Sequence, residues 1–133
     1  MSREDKYAEA EAEFRRLLSL RENVLGPEHP DTLMTRSNLA NVLPKQGKFR
    51  EAESEYREEI ALEEQVLGAR HPDTLSSYFN FALSLARASK LREAEPFARK
   101  AAEGAGEVLG KDHSSTKRYF ILLDKLEKDT GER

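Results

Sequence analysis

The sequence predicts an all-α protein built as a solenoid of antiparallel helix hairpins, and three observations carry that expectation. The first is a stretch that returns. Residues 24–33 read Val-Leu-Gly-Pro-Glu-His-Pro-Asp-Thr-Leu, residues 66–75 match them at eight of ten positions, and residues 108–117 keep Val-Leu-Gly, the His and the Thr. The step from Val24 to Val66 to Val108 is 42 residues each time, and a fixed period in this range marks a stack of like supersecondary units. The second is apolar spacing in steps of three, four and seven, the signature of a helical stripe. The third is Gly and Pro punctuation every 15 to 20 residues, which breaks every heptad run and so favours short hairpins over a coiled coil.

Taken in order, residues 4–25 place Tyr7, Ala10, Phe14, Leu17, Leu18, Val24 and Leu25 on one stripe. Gly26-Pro27 stops that helix, and Pro30-Asp31 starts the next, with the Asp31 carboxylate near the free N–H groups of the first turn. The second helix is expected over about 31–46, ending at Gly47, with Pro44 loosening its last turn where the counterpart carries Ala86. A third helix over about 49–67 repeats the stripe with Phe49, Ala52, Tyr56, Ile60 and Leu67. The cycle runs again with helices at about 73–88, 91–109 and 115–130. Short loops force neighbouring helices antiparallel. Gly104 and Gly106 replace Leu62 and Glu64, at roughly 1 kcal/mol each in helix propensity, so the third unit is expected to be the softest and to lose a core contact at Gly104. One period through all 133 residues implies a single domain, 1–133, with units of roughly 7–48, 49–90 and 91–133. The phase opens on the second helix of one hairpin and closes on the first helix of another. Each end is therefore expected to expose a face that a further repeat, or another copy, would cover.

Composition narrows the function. Hydrophobic residues make up 38% and charged residues 35%, with a net charge of -3, the profile of exposed amphipathic helices and not of a phosphate-binding basic surface. There is no cysteine, which excludes disulfides and thiolate catalysis. No apolar run approaches the roughly 20 residues of a membrane span, and the first residues lack the apolar core of a signal peptide, so the expectation is a soluble, cytoplasmic protein.

The segments Asn38-Leu39-Ala40, Gly47-Lys48-Phe49, Glu51-Ala52-Glu53 and Val66-Leu67-Gly68, with their partners Asn80-Phe81-Ala82, Lys90-Leu91, Glu93-Ala94-Glu95 and Val108-Leu109-Gly110, resemble tetratricopeptide repeats. The form is similar to the 42-residue version of kinesin light chains and of many bacterial and plant signalling proteins. The resemblance implies a right-handed α-solenoid of about six helices, with Ala40, Ala52, Ala82 and Ala94 at close helix crossings and Leu39, Leu43, Phe49 and Tyr56 at large core positions. The chain departs from the family pattern at Glu59, where Ala is usual, at Ser89, where Gly is usual, and at Leu122, where the third Asn is lost. The resemblance also implies that the first helix of each hairpin lines a concave groove.

On those helices the register away from the core gives Met34, Ser37, Asn38, Asn41, Pro44 and Lys45, then Ser76, Phe79, Asn80, Leu83, Ala86 and Arg87, then Arg118, Ile121, Leu122, Lys125, Lys128 and Asp129. Five of these are basic and one is acidic, while the Glu-rich runs lie on the other helices as solvated carboxylates. A basic concavity focuses field lines and would draw an acidic peptide. Asn38 and Asn80 hold one repeat position, and a side-chain amide can both donate to and accept from an extended peptide backbone. Groove asparagines in the family contact ligand backbone, and Asn41 and Arg118 match part of a family layout that clamps a terminal carboxylate. Phe79 is expected as an apolar wall for a ligand side chain. The candidate peptide-binding residues are thus Asn38, Asn41, Lys45, Phe79, Asn80, Arg87, Arg118 and Lys125.

His29, His71 and His113 recur at the period, but as residues of successive units they should lie about 10 Å apart, far beyond ligands sharing one ion at about 2 Å. Loop packing and helix-start hydrogen bonding explain them, and neither a metal nor a cofactor is expected. No phosphate loop, nucleophile beside a base or paired carboxylates in an apolar setting is present, so the chain is not read as an enzyme. The expected function is a protein-interaction module holding a short acidic segment, without nucleic-acid or membrane partners. The alternatives are a self-assembling module that forms homo-oligomers through its open ends, or a regulatory piece of a larger signalling protein.

Overall fold

The computed structural model describes residues 2–131. Among them are six α-helices and no strand: α1 Arg3–Leu25, α2 Pro30–Val42, α3 Phe49–Val66, α4 Pro72–Arg87, α5 Leu91–Val108 and α6 Ser114–Thr130. The helices fall where the periodicity places them. The clear difference is α2, which ends at Val42 and gives way to a single 3-10 turn, Pro44–Gln46. Pro44 has no N–H to continue the ladder, so the tighter turn begins there. The residues gather into two compact units, Met1–Val66 and Leu67–Arg133, the first holding α1 to α3 and the second α4 to α6.

Helix starts show the repeat at atomic detail. Ser2 caps α1 in a reciprocal box with Asp5. For α2, α4 and α6 the cap is the recurring histidine, not the carboxylate: Nδ1 of His29, His71 and His113 accepts from the N–H of Asp31, Asp73 and Ser115 at 3.1, 3.1 and 3.0 Å. Asp31 instead sits in the first turn of α2, where its charge complements the helix dipole. At the other side of the same turns Gly26, Gly68 and Gly110 take φ of 92°, 94° and 92°, a backbone conformation that a Cβ disfavours. That accounts for the glycine of each Val-Leu-Gly.

Unit 1 packs α2 against both α1 and α3 around Leu18, Leu33, Leu39, Leu43, Ala52, Tyr56 and Ile60. Its most unusual member is Arg36, whose side chain is 6% exposed and pairs with Glu22 of α1 at 2.6 Å and with Glu55 and Glu58 of α3 at 3.3 and 2.9 Å. Burial pushes the Glu55 carboxyl above its usual range, and the Arg36 charge opposes that push.

Unit 2 packs α5 against both α4 and α6. Here the α4 side is aromatic: Phe81 lies 4.7 Å from the Phe97 ring and Tyr78 lies 6.3 Å from it, with the Lys100 ammonium 5.5 Å from the Tyr78 centroid. Ala94, Ala98, Ala101, Ala102 and Ala105 are fully buried along α5, small residues that admit the larger side chains of both neighbours. The missing side chain at Gly104 does not leave the predicted loss of contact. A Cβ there would come within 2.5 Å of Leu75 Cδ2, so Leu75 of α4 fills the space.

The carboxylates depart from a simple solvated surface. Glu59 and Glu63 of α3 are buried, as are Glu11 and Glu95. Glu11, Glu53 and Glu95 stand one period apart and each pairs with the arginine four residues on, Arg15, Arg57 and Arg99. Arg15 reaches on to Glu51 of α3, and Arg99 to Glu127 of α6. These pairs fasten neighbouring helices. Burial would raise the Glu11 carboxyl, but hydrogen bonds from Lys48, Arg15 and Gln46 outweigh it and hold the pKa at about 2. The same bonding from Glu95 and Glu127 raises Arg99 further above its usual range.

Candidate functional site

In unit 1 the predicted positions come from α2 and the turn behind it. Asn38 is exposed on α2, with its amide available to solvent. Asn41, one turn on, is half-buried and its Oδ1 accepts from the Tyr56 hydroxyl of α3, so one half of its amide serves the fold and the NH2 remains. Pro44, predicted to face outward, is buried. Lys45 is exposed in the 3-10 turn with its Nζ 5.6 Å from the Tyr7 ring centroid, an attraction between cation and π-face that positions the side chain at small energy.

In unit 2 the positions come from α4 and α6. Phe79 is not the open wall that the sequence register suggests. It is 7% exposed and stacks on Tyr119 of α6, with ring centroids 4.6 Å apart and planes 30° from parallel. The Arg118 guanidinium lies 5.2 Å from the Phe79 centroid and 5.7 Å from that of Tyr119, so the structure does bring Phe79 and Arg118 together. Asn80 is half-buried beside them in sequence, and Arg87 is exposed in the last turn of α4. Lys125 is exposed but reaches Asp129 of its own helix at 3.5 Å.

These cations differ in what holds them. Arg15, Arg57 and Arg99 on the second helices of the hairpins, and Arg36 in the core, are all matched by carboxylates. Among the described residues Arg118 and Arg87 meet none, and Arg118 rests on two rings instead. A guanidinium that meets no carboxylate keeps its N–H groups for an external one, to which it can donate two parallel hydrogen bonds. Tyr119 is the residue of the candidate site that the sequence register did not single out. It and Phe79 hold different repeat positions and share no motif, and only the packing of α6 on α4 joins them.

With the geometry in place, the class is a helical-hairpin repeat protein whose exposed helix faces carry unpaired amides and cations. A tetratricopeptide repeat profile matches residues 2–64 and 35–107, and the chain belongs to the tetratricopeptide repeat family. Among solved structures, nearly identical TPR-like repeats of a Podosopora anserina protein assigned as a kinesin light chain superpose with a TM-score of 0.88 at 20% identity, over 96% of this chain and 60% of that one. A single-residue variant of the same repeats gives the same values. BtubC (BKLC) from P. vanneervenii superposes with a TM-score of 0.86 at 18% identity, over 96% of this chain and 51% of that one. The chain thus spans roughly half to three-fifths of the structures it matches, and at this identity the likeness is one of fold. No curated protein matches the chain in sequence. The 42-residue period and the kinesin-light-chain-like neighbours agree, and the fold supports a protein–protein interaction module. Among the described residues no helix is long and apolar enough to cross a membrane.

Proposed function

We propose that the chain binds a short acidic peptide segment through the first helices of its hairpins. On unit 2 the contacts are Asn80, Arg87, Arg118 and Lys125, with Phe79 acting beneath Arg118 and not as a wall. On unit 1 they are Asn38, Lys45 and the free NH2 of Asn41. The observation that carries the reading is the Arg118 guanidinium, seated on Phe79 and Tyr119 and without a carboxylate partner among the described residues. Arg15, Arg36, Arg57 and Arg99 are neutralised within the fold, so an unmatched and pre-positioned arginine is suited to an external carboxylate. The amides of Asn38 and Asn80 would hold the peptide backbone without reading its sequence, which makes affinity modest and dependent on charge.

The test is a selection from a random peptide display library against the wild type, in parallel with Asn38→Ala/Asn80→Ala and with Arg118→Ala. Enrichment of acidic peptides by the wild type, weakened by either variant and by added salt, is expected. Enrichment that ignores both variants and salt, or no enrichment at all, would remove the reading.

A further inference from the structure

We propose that copies of this chain associate head to tail, α6 of one copy packing on α1 and α2 of the next so that the two ends complete one hairpin. The inference rests on four exposed apolar side chains, Leu20, Met34, Phe120 and Ile121, which hold repeat positions whose equivalents Gly104, Arg118, Tyr78 and Phe79 make contacts between helices inside unit 2.

Phe120 of α6 stands one period after Tyr78 and two after Arg36. Both equivalents face the following helix at the same two places. Arg36 meets Glu55 and Glu58 of α3, and Tyr78 meets Phe97 and Lys100 of α5. One period before Glu55 and Glu58 lie Glu13 and Arg16 of α1. Seated by the register that both hairpins share, a second copy's α1 brings Arg16 over the Phe120 ring, as Lys100 lies over Tyr78. Phe120 is 37% exposed where Tyr78 is 2% exposed, and Arg16 extends into solvent with Glu13 as its ion partner among the described residues.

Two further contacts follow from the same register. Leu20 of α1 is two periods before Gly104, the position on which Leu75 of α4 closes; the equivalent of Leu75 on α6 is Lys117, whose methylene stem can lie along Leu20. Ile121 is one period after Phe79, which is covered by Arg118 and Tyr119; two periods before Arg118 is Met34. Met34 is 55% exposed and Ile121 is 71% exposed, and the junction places one on the other. The remaining exposed large apolar residues, Val24, Leu25, Val66 and Val108, all belong to the Val-Leu-Gly turns or the residue beside them. A second copy is the occupant that fits, because one chain carries both surfaces, and the register of its own hairpins sets Phe120 against Arg16, Lys117 against Leu20 and Ile121 against Met34. The contact is heterologous, different surfaces meeting on the two copies.

The test is the weight-average mass of the 133-residue chain by light scattering across a dilution series. The expected result is a mass that rises above the 15.1 kDa of one chain with concentration. Phe120→Arg and Arg16→Glu, each confirmed folded by its helical circular dichroism, should each weaken association about tenfold or more. Combined, they rebuild at the junction the arrangement of Arg36 with Glu55 and Glu58, and should recover most of that loss. Mass that stays at one chain at millimolar concentration overturns the proposal and leaves these faces to a different helix. Association that ignores all three variants, or a double variant as weak as the sum of the single ones, overturns the proposed register.

Discussion

One repeat position is filled by Arg36 in unit 1 and by Tyr78 in unit 2, and the two units solve the same packing problem with different physics. In unit 1 a buried guanidinium gathers three carboxylates from the helices on either side. In unit 2 the partners have changed with it, to Phe97 and Lys100, and rings replace ion pairs. The hairpin geometry therefore does not depend on the chemistry at this position, only on the two sides changing together. Charge there makes unit 1 dependent on its partners remaining ionised, since a buried charge stripped of partners is costly while an apolar contact is insensitive to them.

The largest effect that would sharpen this contrast is expected on the aromatic side. Phe81→Ala removes a fully buried ring against Phe97 and should destabilise the fold by about 4 kcal/mol, read in urea unfolding, with little change between low and molar salt. Arg36→Ala is expected to cost somewhat less, about 3 kcal/mol, because it leaves Glu55 unmatched in a partly buried site while Glu22 and Glu58 can turn to water. Its loss should shrink as salt rises. If the two losses respond equally to salt, the distinction between an ionic and an aromatic unit fails.

The smallest effect concerns the turn after the first helix of each hairpin. Gly47 takes φ of 76° in unit 1, and Ser89 is held at 65° in the matching turn of unit 2, the one non-glycine with positive φ among the described residues. Ser89→Gly should therefore raise stability by roughly 0.5–1 kcal/mol, less than the full left-handed penalty because glycine also gains freedom in the unfolded chain. A melting temperature unchanged or lowered by Ser89→Gly would mean that the serine hydroxyl compensates for its backbone strain.

How much of the molecule could be read in the sequence follows the range of the interactions. Helix positions were legible because the apolar steps and the Val-Leu-Gly and His-Pro-Asp-Thr punctuation are local signals repeated at a fixed period. The histidines could be assigned to helix starts for the same reason. The arginine–glutamate pairs at Glu11, Glu53 and Glu95 carry a local mark as well, the i to i+4 spacing repeated at the period, yet the burial of glutamates that read as solvated does not follow from it. The candidate site was read less fully. Its helices and exposed polar register were visible, but Phe79 passed for a groove wall because its cover, Tyr119, comes from another helix, and Asn41 passed for a free amide because Tyr56 takes half of it.

The sequence by itself determined the hairpin repeat, its period and its phase, because each rests on backbone preferences and stripe spacing within a few turns of helix. Only the tertiary structure decided which polar side chains are spent inside the fold and which stay outside its ion pairs and hydrogen bonds. Arg36 and Arg118 are the same residue type on corresponding first helices, and no local rule separates them. One is enclosed by three carboxylates on neighbouring helices and the other lies against two rings, a difference made by which side chains the neighbours present across the gap.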